Sequence, residues 1–131
     1  MFVLDTNTVA YFFRDEGRVA ARLLAVPRRD VAIASIVAYE LRYGIARLQR
    51  ATHRGEQLEE LLSWIAILPF DDAAARRAAA LRADLERLGR PIGPHDILIA
   101  ATTLAAGATL VTRNLAEFSR VPGLQVQDWY E

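Results

Sequence analysis

The chain has 131 residues, 53% apolar and 24% charged, which fits one domain over residues 1–131 with an ordinary core and no room for a second. Cysteine is absent, so disulfides, thiolate metal sites and cysteine nucleophiles are excluded, and any metal must sit on oxygen or imidazole. Sixteen arginines balance sixteen acids, and the absence of lysine rules out P-loop, Schiff-base and lysine-assisted aspartyl-phosphate chemistry.

Met1 to Leu4 carry no charged leader or cleavage pattern. No apolar run approaches the ~20 residues of a membrane span, so a soluble, cytoplasmic protein is expected. Phe2 to Leu4 read as a buried strand, and Asp5 and Thr6 offer caps to a helix carrying Val9 to Phe13. A second helix is predicted over Gly17 to Val26, before Pro27, and Val31 to Ala34 form another short strand. Ser35 can cap the next helix, whose apolar positions from Ile36 to about Arg50 keep helical spacing. Leu58, Leu61, Leu62 and Ile65 repeat that spacing on a following helix.

Ile67 to Phe70 look like a third strand, and Asp72 caps an alanine-rich helix that ends at Gly89. Gly89 to Pro94 is a loop, with Pro94 placed as the first residue of an apolar helix reaching Ala106. Thr109 to Thr112 and Leu124 to Gln127 complete the strands, separated by a short turn or helix around Ala116. Strands alternating with helices predict a parallel sheet in a three-layer α/β/α sandwich.

The acids at particular places suggest chemistry. Ligands of open α/β sheets gather outside the carboxyl ends of strands, where Asp5 stands, although Asp5 can equally be a helix cap. Glu40 lies four residues after Ile36 and four before Gly44, within the apolar stripe. A carboxylate there calls for a metal, a water-filled cleft or an arginine such as Arg42. Asp96 occupies the first turn of the apolar helix, where the dipole alone favours an acid. That helix is so apolar, from Ile97 to Ala101, that its amino end must emerge near Asp5. Three acids on separate elements can converge there, an oxygen set suited to Mg²⁺ or Mn²⁺. If Glu117 joins them, twelve acids remain against sixteen arginines elsewhere, a surplus of positive charge that suits a polyanion.

Four segments carry a family resemblance: Phe2-Val3-Leu4-Asp5-Thr6-Asn7, Ala38-Tyr39-Glu40-Leu41-Arg42-Tyr43-Gly44, Pro91 to Ala101 through Gly93-Pro94-His95-Asp96, and Leu110-Val111-Thr112-Arg113-Asn114 through Phe118. With Arg120 to Leu124 and Asp128-Trp129, they make the whole chain resemble the VapC toxins of the PIN-domain family, nearest to those that cut transfer RNA. The resemblance implies a twisted parallel sheet ordered 3-2-1-4-5, a homodimer and a VapB-type antitoxin partner. It also implies that Asp5, Glu40 and Asp96 are catalytic, metal-binding carboxylates. Many members carry an aspartate where this chain has Asn114, so Asn114 is expected as a neutral ligand or orienting group and Glu117 as an acid that can substitute. Thr112 is expected to bond beside Asn114, and Asn7 to orient Asp5 unless it merely makes a local turn. The implied reaction is Mg²⁺-assisted attack of water on an RNA phosphodiester, leaving 3′-hydroxyl and 5′-phosphate ends. Arg42 and Arg113 are the arginines expected to contact RNA phosphates.

Three competitors stand beside this expectation. Arg90 and His95 mimic the Arg-x4-His motif of helical HEPN nucleases, but Pro91, Gly93 and Pro94 break the required helix. His53 and His95 offer a metal-free acid and base. A haloacid-type phosphatase needs an aspartate at Asn7 and a lysine, and has neither here. A catalytically silent binding module would use Tyr11, Phe12, Phe13 and Leu24 as a groove for a partner helix.

Overall fold

Residues 1–50 and 52–131 are described by a computed structural model, in which short apolar runs become strands and longer periodic segments become helices. The elements are β1 (Phe2–Leu4), α1 (Thr6–Phe13), α2 (Val19–Leu24), β2 (Val31–Ala34), α3 (Ser35–Ala46), α4 (Thr52–Leu62), β3 (Ala66–Leu68), α5 (Asp72–Arg87), α6 (Pro94–Ala105), β4 (Thr109–Val111), α7 (Leu115–Phe118) and β5 (Gln125–Gln127). A short 3-10 turn over Arg28–Asp30 leads into β2.

The sheet is parallel throughout and ordered β3-β2-β1-β4-β5. Phe2 sits opposite Val31 on one side and Thr109 on the other, which makes β1 central and puts the reversal of strand order between β1 and β4. All four residues of β2 are buried, as are Val3, Leu4, Leu110 and Val111, the continuous apolar pattern of strands covered on both faces. Helix α1 packs on α2 and α3, α3 on α4, and α5 on α6. Right-handed crossovers produce this grouping when the chain walks outward from β1 to β3 and then returns across the sheet to β4. Helices α3 and α6 also touch, which brings their chemistry together. Among the described residues no helix is long and apolar enough to cross a membrane.

Several predicted boundaries shift for local reasons. β3 ends at Leu68 rather than Phe70, before Pro69, which lacks a donor for the ladder. The cap of α5 is Asp71, accepting from the Ala74 N–H at 3.0 Å, while Asp72 begins the helix and pairs with Arg76. Ser35 caps nothing: Ala34 is the N-cap of α3 and the strand runs directly into the helix. Helix α3 stops at Ala46, α4 at Leu62 and β4 at Val111, and β5 begins at Gln125. Pro94 opens α6 as expected.

Helix α2 is shorter than predicted at both ends, and Gly17 explains the first. Its φ of +60° belongs to the left-handed region, and a Cβ there would lie 2.6 Å from both Cγ and the carbonyl oxygen of Tyr130. The same carbonyl accepts from the Arg18 N–H at 2.9 Å, so the chain's end is fastened over this turn. Gly17→Ala is expected to cost on the order of 1–3 kcal/mol, read as a lower urea midpoint with unchanged slope. An unchanged midpoint would show that Tyr130 moves aside freely.

Candidate active site

Asp5 follows the central strand directly and is the N-cap of α1, its Oδ1 accepting from the Thr8 N–H at 2.8 Å. Its own N–H donates to the Val111 carbonyl at 3.1 Å, tying the carboxyl ends of β1 and β4 together. The cap and the site are therefore the same residue. Asp5 is only 7% exposed, and burial pushes its carboxyl above the ordinary range even though the Thr112 and Thr8 hydroxyls and the Thr8 amide favour the charged form. The charge of Glu40 adds to the upward push.

Glu40 arrives on α3. Its Oε1 accepts from the Thr6 hydroxyl at 2.8 Å, and its Oε2 lies 3.4 Å from His95 Nδ1. It sits at the edge of the apolar stripe rather than inside it, with 29% of its side chain exposed, so it opens into a cleft. Among the described residues Glu40 has no arginine partner: Arg42 pairs with Glu59 on α4. His95 stands between Glu40 and Tyr39, whose ring it meets edge-on.

Asp96 and Glu117 form the other half. The Gly93 N–H donates to Glu117 Oε1 at 2.7 Å, and Asn114 Nδ2 donates to Oε2 at 2.7 Å. Asp96 shares a hydrogen bond with Glu117. Desolvation, that bond and repulsion by Glu117, Asp5 and Glu40 together raise Asp96 from its usual 3.8 to about 7. Partial burial also pushes Glu117 upward, but bonds from Gly93, Asn114 and Asp96 and the charge of Arg120 outweigh it and hold Glu117 low. Below about pH 7 the pair shares one proton, and the raised carboxyl of Asp96 is the group that favours it.

One chain of hydrogen bonds joins the halves. Thr112, fully buried, bonds to Asp5 and accepts from the Asn114 N–H at 3.0 Å, and Asn114 in turn holds Glu117. Thr112 thus stands beside Asn114 as expected. Asn114 orients Glu117 and caps α7. Asn7 does not bond to Asp5; it is exposed on α1 and lines a groove beside Glu40. Arg113 lies over the Tyr130 ring at 3.7 Å and pairs with Glu131 at 3.5 Å, so both arginines expected at phosphates are engaged elsewhere.

The arrangement fits a hard divalent cation. Four carboxylates share one field, and no arginine forms an ion pair with Asp5, Glu40 or Asp96 among the described residues. The donors are all oxygen, as Mg²⁺ and Mn²⁺ prefer. Among the described residues no three of these side chains are already gathered closely enough to hold a metal ion; Asp5, Glu40 and Glu117 are each held by a protein donor. Thr6 and Gly93 are positions whose part here was not foreseen. Gly93 left a trace in the sequence, since a Cβ there would come within 3.4 Å of Asp96 Oδ2 and 3.5 Å of Glu117 Oε1.

The competing sites are not assembled. Arg90 lies in a loop and His95 in the first turn of α6, so no common helix carries them. His53 is exposed and makes no hydrogen bond with His95 among the described residues. Phe12, Phe13 and Leu24 do line an apolar groove, with Leu61 and Trp64, but Tyr11 packs edge-on against Tyr130 instead.

The raised carboxyls make a prediction about the metal-free protein. Between about pH 4 and 7 the folded state holds a proton on Asp96 that the unfolded chain releases, so stability falls as pH rises through this window. Asp5 contributes in the same direction. In EDTA the melting temperature should be several degrees higher at pH 5 than at pH 8, and Asp96→Asn should remove most of that difference. Equal melting temperatures at the two values would contradict the shared proton.

Comparison with known proteins identifies the family. The PIN domain model matches residues 2–124. The tRNA(fMet)-specific endonuclease VapC of Shigella flexneri is 34% identical over 128 residues, covering 98% of this chain and 97% of the relative. Ribonuclease VapC2 of Rickettsia felis is 36% identical over 132 residues, covering 98% of each. The crystal structure of VapBC2 from Rickettsia felis bound to a promoter DNA fragment superposes with a TM-score of 0.91 at 33% identity, covering 98% of each chain. Matched along nearly its whole length in both sequence and structure, the chain belongs to the PIN-domain family and, within it, to the VapC ribonucleases.

Proposed function

We propose that this chain is the toxin of a type II toxin–antitoxin pair, a Mg²⁺- or Mn²⁺-dependent endoribonuclease that hydrolyses transfer RNA to 3′-hydroxyl and 5′-phosphate ends. One observation carries the proposal: four carboxylates from four elements feel one another beside the reversal of strand order, and among the described residues no arginine pairs with Asp5, Glu40 or Asp96. PIN-domain VapC nucleases generally depend on divalent metal ions. Transfer RNA is supported by the name of the Shigella relative, and an antitoxin partner by the VapBC complexes among similar structures. The exposed groove of Leu24 and Trp64 beside Phe12 is a surface for such a partner, and the homodimer belongs to the same proposal.

Asp5, Glu40 and Asp96 would hold the ion, with Asn114 and Glu117 on the fourth side. A divalent ion held there would supply Lewis-acid activation of water and a counter-charge for the phosphate. The protein's own part is orientation. Thr112 and the Thr8 amide fix both the position and charge of Asp5, Thr6 fixes Glu40, and Gly93 with Asn114 fixes Glu117. With its carboxyl raised to about 7, Asp96 would yield its proton to a cation near neutral pH without a large penalty.

Antitoxin-free protein should cut total transfer RNA into discrete fragments with 5′-phosphate ends in Mg²⁺ or Mn²⁺. Both EDTA and Asp5→Asn should abolish the cutting. Cleavage that survives EDTA would move the chemistry to His95 and His53, and inactivity in every metal would favour a silent binding module. Thr112→Val keeps the buried volume and removes only the hydroxyl. It should lower metal affinity by about 10–100-fold, measured by Mn²⁺ titration, as loss of a ligand's supporting hydrogen bond does in other metal sites.

A further inference from the structure

A groove of about 550 Å³ runs between α1, α3 and α4, and its inner end is formed by Thr6, Asn7 and Glu40. It therefore opens directly from the carboxylate site. Its volume lies within the ~300–1,000 Å³ of ordinary ligand sites. Half-buried Phe13, Leu41 and Ile45 give it an apolar floor, and exposed Arg14, Arg47 and Arg54 border it.

Those three arginines are among the eleven of sixteen that make no ion pair among the described residues, so their charge is open to an anion. Arg42, Arg76, Arg82, Arg87 and Arg113 each face a carboxylate, whereas Arg14, Arg47 and Arg54 make no ion pair among the described residues. Glu40 is the one acid that lines the groove. Of the three acids of α4, Glu56 is exposed and does not line the groove, Glu59 pairs with Arg42, and Glu60 lines the separate groove at Trp64. Arg14 and Arg47 are C-caps, where a helix dipole favours a cation by itself. Arg54, however, stands in the first turn of α4, where the dipole opposes one. Helix energetics thus account for Arg14 and Arg47 but not for Arg54, and all three border one groove in a chain of zero net charge.

We propose that this groove seats the unpaired RNA strand next to the scissile phosphate, with Arg14, Arg47 and Arg54 on backbone phosphates and one unstacked base against Phe13, Leu41 and Ile45. The inference rests on the nuclease reading and assigns its phosphate contacts to residues other than Arg42 and Arg113. Charge complementarity selects a polyanion, and the apolar floor selects one whose bases can leave their stack, as single-stranded RNA allows.

The test is binding of a short labelled single-stranded RNA to the Asp5→Asn protein in Mg²⁺ across a salt series. Arg14→Ala, Arg47→Ala and Arg54→Ala should each weaken binding and each reduce the slope of log affinity against log salt by about 0.7, the triple variant by about 2. Arg76→Ala, the same charge change on α5, should leave affinity and slope unchanged. The three single variants keep the test readable if the triple variant folds poorly. Unchanged slopes, or an equal loss in Arg76→Ala, would overturn the proposal. So would undiminished RNA binding with loss of the antitoxin, which would make the groove a protein-docking surface. Wild-type cleavage measured alongside separates the two claims. Reduced slopes without any cleavage keep the groove and remove the nuclease reading, whereas cleavage with unchanged slopes does the reverse.

Discussion

Like charges held within reach of one another are the constraint around which this molecule is organised. Asp5 is nearly buried, Asp96 is crowded enough to keep a proton near neutrality, and both feel Glu40. Such a cluster opposes folding unless something compensates for desolvation and repulsion. Here the compensation is local and made of neutral donors: a helix amide at Asp5, hydroxyls from Thr6 and Thr112, a backbone N–H at Gly93 and the amide of Asn114. None of these brings a positive charge, so the negative field is held in place and left for a cation.

The fold supplies the geometry that makes this economical. A central β1 delivers Asp5 to the edge of the sheet where strand order reverses, and β4 beside it delivers Thr112 and Asn114 just past its end. The buried helix α6 has its core residues Ile97, Ile99, Ala100 and Ala101 fixed by packing, which leaves its amino end no freedom to carry Asp96 elsewhere. The acids are thus positioned by apolar contacts, and their repulsion is met by a core that does not yield. Among the described residues no arginine pairs with Asp5, Glu40 or Asp96; five pair with other acids and three border the groove beside Glu40.

Much of this was legible in the sequence because it is written in periodicity and punctuation. The strand before Asp5, the proline opening α6 and the alternation of strands and helices follow from residue type and spacing, and Asp5, Glu40 and Asp96 stand out as acids in apolar settings. The strand order came from the resemblance rather than from any residue. Boundaries slipped where two residues compete for one role, as Asp71 and Asp72 do at the start of α5. The arginines were least legible. Whether an exposed arginine meets Glu59, a tyrosine ring or open groove depends on neighbours brought in by the fold, and nothing in the local sequence of Arg42, Arg113 or Arg54 distinguishes these outcomes. Asn7 is a similar case: two residues past Asp5 it lines the groove, while Thr112, over a hundred residues distant, bonds to Asp5.

The most direct measurement is calorimetric titration of the metal-free protein with Mn²⁺ near pH 6 and pH 8 in buffers of differing ionisation enthalpy, which counts the protons released as the ion binds. If the carboxylates form one site whose proton sits on Asp96, binding saturates and releases about one proton near pH 6 and close to none near pH 8. Absence of saturable binding, or binding near pH 6 that releases no proton, would contradict a shared cation site built from these four acids.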